Sequence, residues 1–138
     1  MVKIKLICVG GLKERYFIQA ADEYVKRLGR FCKIEVCEIP ERKSGIKHTE
    51  GFTVVLDKGG RQFGSEEFAR HFKQLTDKYG TLTFIIGGSN GLDEGVKQSA
   101  GLVLSLGKPT YPHHLFRVML LEQVYRAFMI NSGSEYHK

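Results

Sequence analysis

The chain has 138 residues, 42% of them hydrophobic and 26% charged, a composition typical of a single soluble globular domain. No stretch reaches the ~18 consecutive apolar residues of a membrane span, and the N-terminal apolar run is too short for a secretion signal. We therefore predict a cytoplasmic protein with no membrane partner. The net charge of +6 is concentrated in residues 1–48, where eleven Lys and Arg face six Asp and Glu. This basic third indicates either ordinary solvated lysines or a polyanionic partner, of which RNA is the first candidate.

Strand and helix patterns alternate along the chain. Lys33–Ile39 alternates apolar and polar residues, as a strand with one exposed face does, whereas Phe52–Leu56 is continuously apolar, as in a strand covered on both faces. Ser65 is predicted to cap the helix that it precedes. The predicted strands are Lys3–Val9, Lys33–Ile39, Phe52–Leu56, Leu82–Ile86 and Leu102–Ser105, and the predicted helices are Tyr16–Leu28, Ser65–Tyr79, Asp93–Ser99 and His113–Ile130. This order predicts one α/β domain over residues 1–138, with a mostly parallel sheet of about five strands.

Glycine-containing segments follow three predicted strands, at Asp57–Gly60, where the chain is expected to turn, and at Gly87–Gly91 and Gly107–Pro112. In an open α/β sheet, ligands bind beyond the carboxyl ends of the strands, and glycine lets a ligand approach the main chain closely. The segments match neither the GxGxxG dinucleotide fingerprint nor a P-loop. Each one alone is more often a simple turn, but three at one sheet edge predict a ligand cleft.

The Gly107–Pro112 loop carries two prolines, Pro109 and Pro112. Proline fixes φ and removes an N–H donor, so a stiff loop is left whose carbonyls can accept hydrogen bonds from a flat ligand such as adenine. The alternative is a connector that only positions the next helix, at whose start Pro112 fits. His113 and His114 open that helix. Because the helix dipole disfavours the imidazolium form there, these side chains either accept protons or simply cap the helix.

The last predicted helix is apolar on almost every side, except where Glu122 and Arg126 are spaced to pair on one face. A helix of this kind is buried on most sides, which in a small domain predicts a subunit interface. The chain then ends on an aromatic ring, an imidazole and a cation, Tyr136, His137 and Lys138. They predict a terminus that folds onto the molecule and brings its polar groups to a site.

The three cysteines, Cys8, Cys32 and Cys37, are odd in number and lack the CxxC spacing. They are therefore predicted to be free thiols, buried or half-buried. The sequence contains no Ser-His-Asp arrangement, no zinc-ligand spacing and no paired carboxylates of the glycosidase type. We therefore expect no bound metal.

Several spaced motifs together resemble one known family. LDKGG follows one strand and FIIGGSNGL the next, LSLGKPTYPHH leads into LFRVMLLEQVYRAF, and YHK ends the chain; VGGLKERY, YVKRLGR and EIPE fit as well. Over essentially the whole chain these motifs resemble the ribosomal large-subunit pseudouridine N3-methyltransferase H family (RlmH), of the SPOUT class. The resemblance implies a homodimeric α/β domain with a C-terminal deep trefoil knot. It also implies methyl transfer from S-adenosylmethionine to N3 of a pseudouridine in a hairpin of large-subunit rRNA, within the assembled ribosome.

The resemblance also assigns residues. The cofactor pocket is expected to be lined by Leu56, Gly88, Gly107, Lys108, Pro109, Thr110, Tyr111 and Pro112. Catalysis is expected from His137, Arg126, Tyr136 and His113, and rRNA binding from Lys138, Arg126 and Tyr136. The N3 proton must leave before or during attack, and a neutral histidine or a nearby cation would serve. The sequence leaves open which residue is the general base.

Two features depart from the family pattern. Only residues 41–51 separate the strand ending near Pro40 from the strand at Phe52, where members usually carry a longer segment with a helix, so substrate contacts of that helix are in doubt. Gly107-Lys108-Pro109 replaces the frequent Ser-Lys-Met and stiffens the loop. One alternative is a non-catalytic RNA- or nucleotide-binding α/β protein, which leaves the terminal YHK unexplained. The other is a nicotinamide-dependent oxidoreductase, whose GxGxxG motif this chain does not contain.

Overall fold

The computed structural model describes residues 1–40, 46, 49–88 and 91–138. In these residues five strands form one sheet in the order β2-β1-β4-β3-β5, and every neighbouring pair is parallel. The strands are β1 Lys3–Val9, β2 Lys33–Ile39, β3 Phe52–Gln62, β4 Thr81–Ile86 and β5 Leu102–Ser105; the helices are α1 Arg15–Leu28, α2 Ser65–Lys78, α3 Glu94–Gln98 and α4 His113–Asn131. The predicted α/β class and all nine predicted elements are confirmed. Most of the predicted loop 41–51, together with Ser89 and Asn90, lies outside the described residues.

The two faces of the sheet are covered unequally. On one face α1, α2 and α4 pack over the even-numbered side chains of β1, β3 and β4, such as Leu6, Val54 and Phe84, which form the larger core. On the other face a smaller cluster of Ile7, Val55 and Ile85 is covered by half-buried side chains that include those of Leu92 and Val96. The Phe52–Leu56 segment is therefore buried on both faces, as predicted.

Helix α4 packs against both α1 and α2. It runs parallel to α1, since His114 at its start meets Glu14 before α1 and Tyr125 further along meets Tyr24. Leu120, Leu121 and Val124 are buried in the larger core, while Leu115 stays 36% exposed. In the part of the chain that the structure describes, no helix is long and apolar enough to cross a membrane.

Strand β3 does not end in a turn at Asp57–Gly60, which corrects the prediction. It continues to Gln62, and its register with β5 shifts between Leu56 and Arg61, so residues 57–60 form an irregularity inside the strand. A Cβ on Gly60 would lie 2.6 Å from the Val103 carbonyl oxygen, so only glycine allows this close approach of β3 to β5.

The start of α2 also differs from the prediction. The N-cap is Gly64, without a side-chain capping bond, and Ser65 is the first helical residue. The Ser65 hydroxyl instead donates to Gln123 Oε1 at 3.1 Å. Ser65 therefore ties α2 to α4, because a partner from another helix competes with the local capping bond.

Candidate active site

A cleft of about 180 Å³ opens at the carboxyl ends of β3, β4 and β5. Its walls come from the irregularity in β3, the loops after β4 and β5, and the start of α4. The expected cofactor residues that line it are Leu56, Gly88, Gly107, Pro109, Thr110 and Tyr111, and His113 lines it as well. Lys108 and Pro112 belong to the same loop but are not among the lining residues. The three glycine segments therefore meet around one cleft.

Ser105 anchors the loop between β5 and α4. Its hydroxyl is buried, accepts the Gly107 N–H at 3.0 Å, and lies 3.1 Å from the Lys58 carbonyl and 3.2 Å from the Gly107 carbonyl. Gly107 has a φ of +120°, which a residue with a side chain rarely adopts. From the β3 side, Lys58 Nζ donates to Thr110 Oγ1 at 2.9 Å. The loop is thus fixed at its first residues and again at Thr110.

Asp57 places a carboxylate on the cleft wall. Its Oδ2 accepts the Gly59 N–H at 3.0 Å, and its Oδ1 lies 3.3 Å from Lys97 Nζ. The Asp57 carboxylate is the main cause that raises the pKa of the Lys97 ammonium above its ordinary value. Asp57 is thereby held in one orientation and keeps lone pairs to accept from a ligand hydroxyl.

The donor set of the cleft suits S-adenosylmethionine. Apolar walls from Leu56, Ile86 and Leu106 provide the surface for a flat base, and a carboxylate stands at their edge for a ribose hydroxyl. The fixed Gly107 loop brings main-chain polar groups to the wall of the cleft, where they would be available to a base. The cleft volume matches a nucleobase-sized part of the ligand, so the rest would extend out between the loops.

A second cluster lies on α4 and the tail, and Arg126 is its centre. The guanidinium donates to Glu122 through Nε at 2.8 Å and Nη2 at 3.1 Å, as the spacing predicted, and Glu122 raises its pKa. The Arg126 guanidinium also lies 4.9 Å from the centre of the Tyr136 ring, whose edge meets Tyr125. Burial, followed by a hydrogen bond with Tyr24, raises the pKa of the Tyr136 phenol to about 12.

His137 is held by the same guanidinium. Its Nδ1 lies 3.0 Å from Arg126 Nη1, and because an arginine can only donate, Nδ1 accepts. Its Nε2 lies 3.3 Å from Glu66 Oε1, at the start of α2. The tail is therefore folded onto the molecule, and Lys138 remains exposed.

The two clusters belong to neighbouring cavities. Glu122 and Arg126 line a larger cavity, of about 440 Å³, which shares Leu106 and Gly107 with the cleft. His113 and Arg126 are 13 positions apart on one helix, which places them ~20 Å apart along its axis. The structure therefore groups His113 with the cofactor loops and Arg126, Tyr136 and His137 with one another.

Some residues that shape the site were not found from the sequence. Ser105 and Lys58 anchor the cofactor loop, but a serine at a strand end and a lysine beside glycines carry no signal of their own. Away from these two cavities, Arg117 on α4 is 7% exposed and bonds Glu38 at 2.7 Å and the Gly10 carbonyl at 3.0 Å. An arginine within a mostly apolar helix was the signal available for this contact, since such a charge needs a partner when buried.

The cysteines are free thiols, as predicted: Cys8 and Cys32 are buried and Cys37 is half-buried. Burial raises the pKa of the Cys8 thiol to about 11 and that of Cys32 to about 12, so neither supplies a thiolate near neutral pH. Among the described residues, no group of three or more His, Cys, Asp or Glu side chains could hold a metal ion.

Comparison with known proteins identifies the class. The family model described as "Predicted SPOUT methyltransferase" matches residues 2–137. The fold is similar to that of a probable methyltransferase from Bordetella pertussis Tohama I, with a TM-score of 0.58 and 10% identity over 91% of this chain and 94% of that one. A protein from Legionella pneumophila, solved in complex with the bound cofactor SAM, gives a TM-score of 0.52 and 13% identity over 92% of this chain and 66% of that one. The family model places the chain in the SPOUT class, and the structural matches show the fold.

Curated relatives narrow the class to one family. The chain is 45% identical to "Ribosomal RNA large subunit methyltransferase H" of Caldicellulosiruptor saccharolyticus, over 98% of this chain and 99% of that protein. It is 42% identical to the protein of the same name from Streptococcus suis, over 99% and 100%. The chain belongs to the family of ribosomal RNA large subunit methyltransferase H. The two alignments span 153 and 159 positions against 138 residues here, so each relative carries residues that this chain lacks.

Proposed function

We propose that this protein transfers the methyl group of S-adenosylmethionine to N3 of a pseudouridine in a hairpin of large-subunit rRNA, in the cytoplasm and on the assembled ribosome. Membership of the family over residues 2–137 carries the proposal, and the glycine-walled cleft at the strand ends supports it. The net charge of +6 suits a polyanionic substrate. The C-terminal deep trefoil knot of the SPOUT class is part of the same proposal.

The cleft positions the methyl donor. S-adenosylmethionine, when bound, supplies a methyl group on a sulfonium centre. Leu56, Gly88 and the Gly107–Pro112 loop would hold its adenosyl part by apolar and main-chain contacts. Because displacement at that carbon needs the nucleophile in line, positioning alone supplies much of the rate. The fixed loop of Ser105 and Gly107 is suited to that task.

The tail cluster handles the substrate base and its proton. N3 carries a proton, and the anion left behind needs a cation, which we assign to Arg126, oriented by its two bonds to Glu122. The Tyr136 ring is a platform on which an unstacked base can lie, and Lys138 meets a phosphate. His113 on the cleft wall can take the proton, and His137 can do so once its Nδ1 releases the hydrogen bond from Arg126.

We propose a homodimer in which each cleft is completed by the tail of the second copy. The ~20 Å that separates His113 from Arg126 along α4 is a reason to look for the missing groups in another subunit. Three exposed apolar side chains on two helices that pack together support this assembly: Leu115 on α4 is 36% exposed, and Tyr16 and Ile18 on α1 are 65% and 38% exposed.

The reaction is tested by incubating the protein with large subunits or assembled ribosomes that carry the unmodified pseudouridine, and mapping the methylated position in the rRNA. We expect one new methyl group at N3, dependent on S-adenosylmethionine. Calorimetric titration with the cofactor separates the alternatives, because a protein that only binds RNA gives no heat. Comparing pH–rate profiles of His113→Ala and His137→Ala identifies the base, since only loss of the base removes the acidic limb.

Shared sites are tested by mixing two inactive variants, one lacking residues 136–138 and one carrying Gly88→Val. If clefts are completed in trans, a mixed dimer keeps one intact site, and equal mixing with free exchange restores about a quarter of the parent activity. If each site is built within one chain, the mixture stays inactive. Light scattering on the parent should give the dimer mass at micromolar concentration.

A further inference from the structure

A basic patch lies at the end of α1, in the turn after it and at the start of β2, and is formed by Lys26, Arg30 and Lys33. All three side chains are exposed. Within the residues that the structure describes, none of the three pairs with a carboxylate. The patch therefore presents three cations to solvent.

Contacts within the fold account for these charges only in part. The Arg30 guanidinium lies 5.6 Å from the centre of the Phe31 ring, which is a weak contact for an exposed side chain. The helix dipole favours Lys26 in the last turn of α1, but Arg30 and Lys33 lie beyond that helix. By contrast, the neighbouring Arg27 is satisfied within the protein, since its Nε donates to Glu23 at 2.8 Å.

The patch adjoins the tail cluster. The Arg27 guanidinium lies 5.3 Å from the centre of the Tyr24 ring and 5.7 Å from that of Tyr125. The tail reaches the same aromatic group, because Tyr136 meets Tyr125 at 5.0 Å between ring centres. Arg27 and these rings thus join the patch to the residues assigned to the target base.

We propose that the Lys26, Arg30 and Lys33 patch binds phosphates of the rRNA strand that flanks the target nucleotide. The inference rests on the proposed function and adds the surface that holds the RNA beside the site. Phosphate contacts position a nucleic acid without reading its sequence. Proteins that bind single-stranded nucleic acids combine exposed cations, which contact the phosphates, with aromatic rings, on which the bases stack. The patch and the neighbouring tyrosines provide both.

The test compares two double variants that each remove two positive charges. Lys26→Ala with Arg30→Ala alters the patch, and Lys73→Ala with Lys78→Ala alters exposed lysines of α2 as the matched control. Binding of each protein to purified large ribosomal subunits is measured at several KCl concentrations and constant Mg²⁺. S-adenosylmethionine affinity is measured in parallel, and circular dichroism checks the fold.

We expect the patch variant to bind the large ribosomal subunits more weakly than the parent. The negative slope of log affinity against log salt should become shallower by about 1 for each phosphate contact that is lost. The α2 control should keep the parent slope, and cofactor affinity should be unchanged in both. If the parent methylates rRNA but the patch variant keeps the parent's slope, or the control loses as much affinity and slope as the patch variant, the inference is overturned and the proposed function stands. A parent that neither binds nor methylates rRNA overturns the proposed function, and this inference with it.

Discussion

The cleft at the strand ends and the tail cluster are built from different parts of the chain. The cleft is shaped by main chain: Gly60 lets β3 approach β5, Gly107 takes a positive φ, and Ser105 fixes the loop through main-chain groups. The tail cluster is held by side chains, with Arg126 linking Glu122, Tyr136 and His137. Substitutions that add a bulky side chain near the backbone should therefore impair the cleft. Substitutions that remove a functional group should impair the tail cluster.

The largest effect is expected from removing residues 136–138. This deletes the ring over Arg126 and the imidazole at its Nη1, so interactions made in the transition state are lost. Single-turnover methylation should fall by about a hundredfold or more, while cofactor affinity should stay near that of the parent. Glu135→Ala, an exposed change one residue earlier, serves as the control. Retained methylation would show that the tail is only structural, and lost cofactor binding would assign it to the cleft.

Gly88→Val tests the cleft by the opposite route. Gly88 lines the cleft, and a branched side chain there would occupy the space of the ligand. We expect S-adenosylmethionine affinity to fall by about tenfold or more, which corresponds to ~1.4 kcal/mol or more of binding free energy. Gly80→Val is the matched control, because Gly80 precedes β4 at the other end of the sheet and a Cβ there meets nothing within 4 Å. Calorimetry on both variants decides, and equal affinities would mean that the pocket lies elsewhere.

Glu122→Gln tests whether orientation of Arg126 matters as well as its charge. The amide can accept one hydrogen bond but no longer pairs ionically with the guanidinium, so Arg126 loses its fixed orientation. Turnover should fall by about tenfold, equivalent to ~1.4 kcal/mol in the barrier, with little change in cofactor affinity. Glu67→Gln, an exposed carboxylate on α2, is the control. A change confined to the KM for ribosomes would instead assign Glu122 to RNA binding.

The smallest effect is expected for Ser105→Ala, which tests the loop anchor. Without the hydroxyl, the Gly107 N–H loses its acceptor, and an unsatisfied buried donor costs ~1–3 kcal/mol. Because the loop can relax in part, S-adenosylmethionine affinity should fall only about threefold to tenfold. Ser99→Ala removes a hydroxyl that donates to Val96 in α3 and should leave affinity unchanged. Unaltered binding in Ser105→Ala would show that the prolines alone hold the loop.

The fold was largely readable from the sequence because its elements follow local periodicity. Continuous apolar runs marked the buried strands, and the helical spacing from Tyr16 to Leu28 marked α1. The prediction failed where a distant partner decides the outcome. The extension of β3 past Leu56 depends on Gly60 meeting Val103, and the role of Ser65 depends on Gln123.

The sequence by itself determined the class of fold, the elements, the family and the segments that carry the candidate site, since these follow from local patterns and motif order. Only the tertiary structure showed that the Gly107 loop is anchored by Ser105 and Lys58, and that Arg126, which pairs with Glu122 as their spacing predicted, also contacts Tyr136 and His137. The physical reason is that most of these hydrogen bonds and ring contacts join separate segments of the chain, so they depend on how those segments pack together.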